Sequence, residues 1–263
     1  MSKDTVFDDD ASEAFLREIY STTKGTVRLH VLWQDLLAEV RGLKAERLRV
    51  IDIGGGAGQL ASKVAELGHE VTICDPSEEM LDKARACLEE TGLGDTVRFV
   101  HASIQDLRSE IAGEFDLVIC HAVLEWLAEP RDALDSMLPL LNADGYLSLM
   151  FYNLHAAILK RALIGDFAGA LAQWNSVEDA RDSGHPNPLD PEDVKAWIVE
   201  SGLQVQSRSG IRIFHDHLPE ALRRASGIAA LLELETAFRK REPFASLAQH
   251  IHFVCRRQEA PTS

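Results

Sequence analysis

The sequence predicts an α/β protein built on a doubly wound, mostly parallel seven-stranded sheet, with N-terminal helices before it and a helical insertion after the fifth strand. Three observations predict it. Strand and helix patterns alternate from residue 48 to about residue 152. The strands are almost wholly apolar, which marks a parallel sheet covered on both faces, and right-handed crossovers between such strands give a doubly wound sheet. The first strand runs into a glycine-rich turn, "VIDIGGGAGQ" at 50–59, and ligands of open parallel sheets sit beyond the carboxyl ends of their strands.

The first 45 residues, 11–40 above all, show amphipathic helical spacing and form an N-terminal helical cap to a core spanning 46–152. Within that core, "LRVIDI" (48–53) is a strand and 58–67 a helix. "EVTICD" (70–75) is a strand, followed by a helix that Ser77 caps and Gly92 ends. "TVRFVHA" (96–102) is a strand before a short helix near 104–111, and "FDLVICH" (115–121) is the next strand. Pro130 opens a helix that runs to about Leu141, and "GYLSLMFY" (145–152) is the fifth strand. Residues 154–174 read as helix and 175–191 as an acidic, proline-containing loop, together an insertion over 153–190. The C-terminal part of the sheet, 191–256, holds a helix at 191–202, an alternating strand at 203–215, a long helix at 218–241 and a last strand at 249–256. A tail of 257–263 follows, and the whole reads as one domain.

A chain of 263 residues, 46% hydrophobic, buries enough surface to need no disulfide staple. Its four cysteines show no CxxC spacing and read as buried free thiols of a reducing compartment. The start "MSKDTVFDDD" has no apolar stretch of the signal-peptide kind, and no run of about 18 apolar residues spans a membrane, so a cytoplasmic protein is expected. The dispersed histidines give no metal signal; His215 and His217 alone are too few. A formal charge of −15 argues against a broad nucleic-acid footprint, which needs clustered Lys and Arg, and leaves room for a local basic patch.

The glycines of the turn are 54, 55, 56 and 58. The dinucleotide fingerprint needs a third glycine where this chain has Gln59, and no Gly-Lys-Ser/Thr of a phosphate-binding loop follows. Asp75 ends the second strand about twenty residues later, where a carboxylate can accept both ribose hydroxyls; dinucleotide-binding proteins share this pairing of turn and acid. A G-x-G-x-G turn after an apolar strand bearing Asp52 resembles motif I of the class I S-adenosylmethionine (SAM)-dependent methyltransferases, which have a Rossmann-like sheet. That resemblance implies contacts to the cofactor from Asp52, the turn (Gly54, Gly55, Gly56) and Asp75. It also implies an adenine edge at Ser103 and Ile104 in "HASIQDL", with Gln105 or Asp106 as polar partner, and a contact from His121 in "CHAVLEWLAEP". Trp126 and Leu127 are expected in the core.

Further segments narrow the likeness. "IYSTTKGTVRLHVLWQDL" (19–36), "HAVLEWLAEP" (121–130), "LSLMFYN" (147–153), "SRSGIRIFHDHLPE" (207–220), "LLELE" (231–235) and "REPFASLAQHIHFVCR" (241–256) resemble the bacterial tRNA 5-carboxymethoxyuridine methyltransferases over nearly the whole chain. The resemblance implies SAM as cofactor, S-adenosylhomocysteine as product, and the methyl ester of 5-carboxymethoxyuridine at the wobble position of the tRNA anticodon arm. It adds Arg28 as a cofactor residue, a guanidinium suited to a carboxylate. The acidic "NSVEDARDSGHP" departs from the basic insertion expected of relatives.

A carboxylate acceptor is ionised at neutral pH and needs no general base. That agrees with the lack of a catalytic dyad, so catalysis reduces to positioning, with Tyr20, Tyr152, Arg212 and His215 as candidate orienters. Two other readings stay open: a SAM-dependent carboxyl or O-methyltransferase of a small molecule, and a SAM-binding protein without transfer activity.

Overall fold

The computed structural model describes residues 22–175, 186–225 and 227–257. Seven strands form one sheet in the order β3-β2-β1-β4-β5-β7-β6. They are β1 (Arg49–Ile53), β2 (Glu70–Asp75), β3 (Val97–His101), β4 (Phe115–His121), β5 (Leu141–Tyr152), β6 (Leu203–Ile211) and β7 (His250–Arg257). β1 to β5 pair in parallel, and β7 runs antiparallel between β5 and β6. The carboxyl ends of β1, β2, β4, β5 and β6 therefore open on one edge of the sheet.

Side chains alternate between two cores, as the two-residue period of a strand requires. In β1, Ile51 and Ile53 join one cluster and Val50 the other. Helices α2 (Gln59–Glu66) and α3 (Glu78–Glu90) cover the Val50 face with Leu60, Val64, Leu81 and Leu88. A short α4 (Leu107–Glu110), α5 (Pro130–Met137) and, beyond the insertion helices α6 (Leu154–Leu163) and α7 (Phe167–Asn175), α8 (Pro191–Glu200) cover the other. α1 (Thr23–Glu39) lies over the β7–β6 half and buries Val27, Val31, Leu32 and Leu36. α9 (Glu220–Ala225) and α10 (Ile228–Phe238) follow β6, and α10 packs on α1. Among the described residues no helix is long and apolar enough to cross a membrane, and all four cysteines are free.

Five elements differ from the sequence expectation. The helix after Pro130 stops at Met137, because Pro139 has no N–H to continue it, and 138–140 form a tighter turn. β5 starts at Leu141, earlier than expected, with an irregularity in its pairing to β4. The helical stretch 154–174 is broken at Gly165, which takes a left-handed φ of 83°, and the stretch 218–241 holds two helices, Glu220–Ala225 and Ile228–Phe238. The strand expected over 203–215 ends at Ile211, since Arg212 turns left-handed at φ 65° and the chain folds into a short 3-10 turn at His215–His217.

Candidate cofactor and acceptor site

The turn after β1 closes tightly on β2. Gly54 N–H donates to Cys74 O at 2.7 Å, and Gly54, Gly56 and Gly58 all take positive φ (67°, 54° and 74°). A Cβ at Gly54 would stand 2.3 Å from Val123 Cγ2, so position 54 needs glycine for space as well as for conformation. Asp75, 7% exposed, accepts from Gly56 N–H through Oδ2 and from Ser77 N–H through Oδ1, each at 2.9 Å. One carboxylate thus ties the glycine turn to the start of α3 and still has lone pairs for a ligand.

A cavity opens on this edge of the sheet. Arg28, Asp52, Gly54, Gly55, Gly56, Asp75 and His121 stand in its wall, so seven of the nine expected cofactor residues converge there. Ser103 and Ile104 do not: the Ser103 hydroxyl donates to Asp106 Oδ2 at 2.7 Å, and Ile104 is buried in the core. Trp126, expected in the core, lines the cavity with Leu29, Met80 and Met150, and Leu127 packs against the core as expected while also lining the cavity.

Electrostatics decide what kind of ligand this wall suits. Burial, and then the neighbouring Asp75, push the Asp52 carboxyl up to about 7, against the pull of Arg28. Burial also raises Asp75, while its two N–H donors pull it down. Two buried acids against the one guanidinium of Arg28 favour a ligand carrying positive charge and disfavour a pyrophosphate. An adenosyl sulfonium with an amino-acid tail fits: ribose hydroxyls suit Asp75, a tail carboxylate suits Arg28, and Leu29, Leu32, Leu60, Met80 and Met150 add an apolar face. A cationic ligand should lower the Asp52 pKa and release a proton near pH 7. Calorimetry of SAM binding in buffers of different ionisation enthalpy is expected to show that release, with affinity rising from pH 6 to 8. Asp52→Asn should remove both effects, and a pH-independent affinity in the parent protein would contradict them.

A second group adjoins the cavity at the ends of β5 and β6. Arg212, 3% exposed, grips Asp216 with two nitrogens, Nε donating at 2.7 Å. Contacts with His215 and Arg212 hold Asp216 well below the usual carboxylate range despite burial. Tyr152 is partly buried, its phenol raised by burial, and its ring lies 6.0 Å from that of His250. Burial, then Arg212 and Arg28, push His250 well below the usual imidazole value. The Arg212 guanidinium is committed to Asp216 and does not stand ready as a bare clamp. Tyr20 lies outside the described residues. Among the described residues, Ala122 (φ 58°) and Arg212 are the non-glycine residues with positive φ, and both follow strands that end at the site.

Sequence reasoning missed several buried polar groups here. Glu125 is 3% exposed, and burial pushes its carboxyl up to about 7. Its Oε2, the Nδ1 of His250 and the Nδ1 of His215 have no hydrogen-bond partner among the described protein atoms. His215 is instead held through its backbone: the buried Glu235 carboxylate accepts the N–H groups of Ile213, Phe214 and His215 at 2.7, 2.9 and 2.9 Å. "HIH" in β7 is the signal that sequence reading could have used, since residues two apart share a strand face. Among the described residues no group of three His, Cys, Asp or Glu side chains is placed to hold a metal ion.

A family model described as "Methyltransferase domain" matches residues 51–149. A tRNA 5-carboxymethoxyuridine methyltransferase of Escherichia coli (strain K12) is 40% identical over 252 residues, 96% of each chain. A ubiquinone biosynthesis O-methyltransferase of Xanthomonas axonopodis pv. citri (strain 306) is 31% identical over 163 residues, 62% of this chain and 65% of its own. The magnesium protoporphyrin IX methyltransferase from Synechocystis PCC 6803, solved with bound S-adenosylhomocysteine, shares the fold at a TM-score of 0.58. It is 19% identical and covers 97% of this chain and 90% of its own.

Proposed function

Because this chain belongs to the tRNA 5-carboxymethoxyuridine methyltransferase family, we propose that it uses SAM to form the methyl ester of 5-carboxymethoxyuridine at the wobble position of tRNA. The observation that carries this reading is the cavity wall: a glycine turn, Asp52, Asp75 and Arg28 converge at the strand ends, two acids to one guanidinium, a balance suited to a sulfonium. Bound SAM supplies an electrophilic methyl group. Asp75 would hold the ribose, the glycine turn of Gly54–Gly56 would let the ligand approach its backbone, Arg28 would take the tail carboxylate, and His121 lines the cavity.

The chain's remaining work is positioning. Ester formation from an ionised carboxylate releases no proton, so no side chain has to accept one. His121 and His250 agree with that, because burial, reinforced by Arg28, holds both well below the usual imidazole range and keeps them neutral. Tyr152 and His215 orient the acceptor carboxylate, and Arg212, through Asp216, fixes the loop that carries His215. The tRNA anticodon arm approaches this edge, and the reaction belongs in the cytoplasm where tRNA is modified.

The formal charge of −15 favours one competing reading, a small carboxylate or phenol as acceptor. Incubation with SAM and tRNA bearing 5-carboxymethoxyuridine, followed by digestion and nucleoside mass spectrometry, separates the two. The methyl ester on tRNA is expected. Turnover of small acids or phenols without ester on tRNA would replace this proposal with the second reading, and SAM binding without any turnover would remove both.

A further inference from the structure

A line of buried hydrogen bonds runs from α10 through the sheet to the cavity wall. Arg239 Nε donates to Asp35 Oδ1 at 2.7 Å. Asp35 Oδ2 stands 3.0 Å from His252 Nδ1. His252 Nε2 is 2.8 Å from Ser148 Oγ, which is 2.8 Å from His121 Nε2. Asp35, Ser148 and His252 are at most 1% exposed, and the two imidazoles meet edge to face at 5.4 Å. Of these five residues only His121 lines the cavity.

We propose that Asp35, His252 and Ser148 are positioning residues that lock His121 in its Nε2–H tautomer, so that the cavity meets a lone pair at Nδ1. The direction of the chain follows from what each group can do. An ionised carboxylate only accepts, so His252 Nδ1 carries the proton between them. Asp35 is ionised: hydrogen bonds from His252, Ser209 and Arg239 hold its carboxyl below the usual carboxylate range despite burial. Arg239 already neutralises that carboxylate, so His252 is taken with a single ring proton, the one at Nδ1. Neutral His252 then accepts at Nε2, and the single O–H of Ser148 is spent on it. Ser148 Oγ is left as an acceptor, so His121 Nε2 donates. The other nitrogen of His121 is a bare acceptor, the polarity that a sulfonium and an ammonium require; an N–H there would repel both. The inference rests on the cofactor reading of the cavity, but the tautomer itself does not.

The test uses the full chain labelled with ¹⁵N-histidine. Long-range ¹H–¹⁵N correlation spectra of the cofactor-free protein are expected to show His252 protonated at Nδ1 and His121 protonated at Nε2. Protonation of His121 at Nδ1 would overturn the proposal whatever the protein binds. Asp35→Asn should reverse the wiring: the amide oxygen meets Arg239, its NH₂ faces His252, and both imidazoles exchange tautomer. Calorimetry should then show SAM binding weakened by about tenfold, the worth of one hydrogen bond to a charged group. Ser148→Ala breaks the bridge without touching Asp35 and keeps the question open to measurement if Asp35→Asn does not fold. It should release His121 to a tautomer mixture with a smaller loss of affinity. Unchanged tautomers in the variants, or exchanged tautomers with unchanged SAM affinity, would overturn the assignment. Absence of SAM binding to the parent protein would instead strike the cofactor reading.

Discussion

Asp75→Ala is expected to raise the dissociation constant for SAM by about 100-fold, close to 2.7 kcal/mol. The loss has two parts. The carboxylate that suits the ribose disappears, and an unmade hydrogen bond in a closed site costs about 1–3 kcal/mol. The N–H groups of Gly56 and Ser77 also lose their acceptor, so the glycine turn is no longer tied to the head of α3. Folding stability should move much less. Burial raises the folded pKa of Asp75, so its ionised form opposes folding above the unfolded pKa, and alanine removes that penalty while forfeiting two backbone bonds. The signature is a large change in affinity beside a small change in melting temperature. Asp75→Asn, which keeps one acceptor oxygen, should fall between. Calorimetric affinity unchanged in the alanine variant would remove Asp75 from the site.

The affinity prediction draws on what the sequence displays locally. A buried strand, the glycines after it and an acid at the next strand end lie within about twenty-five residues, and each is a local signal. Strand order likewise follows from apolar runs separated by helices. What sequence reading lost is nonlocal or depends on conformation. Ser103 follows β3 as expected but turns its hydroxyl to Asp106, three residues on, a choice settled by local capping. Alternation over 203–215 continues past Ile211 and hides the left-handed turn at Arg212. Arg212 itself was legible as a basic residue near the site, whereas its commitment to Asp216 was not, because a residue pattern does not show which cation is already paired. Asp35 and His252 lie 217 positions apart and meet only because α1 crosses β7. "LLELE" reads as an ordinary helix face, yet its last glutamate is fully buried.

That glutamate carries the second large effect. Glu235→Ala is expected to destabilise the protein by about 3–5 kcal/mol, a fall of roughly 10 °C in melting temperature for a chain of this size. Between Ile211 and the turn at His215–His217 the backbone has left the sheet and not yet entered a helix, so the N–H groups of 213, 214 and 215 have no carbonyl ladder to join. One side chain from α10 accepts all three. Its removal strands three donors at once in a region where Ile213 and His215 are nearly inaccessible, and each costs about 1–3 kcal/mol unless water enters. Release from burying a charge offsets part of this and keeps the total below the sum. Glu235→Gln preserves the volume but offers one oxygen instead of two, so about half the loss is expected. The functional consequence is local as well: once the loop loosens, Arg212 is no longer held in its left-handed conformation, and His215 leaves its place beside Asp216. In the glutamine variant, methyl transfer to tRNA should therefore fall while SAM affinity, set on the β1–β2 side, is retained. Equal loss of both would mean that the loop supports the whole cavity, and an unchanged melting temperature in Glu235→Ala would show that the three N–H groups find other acceptors.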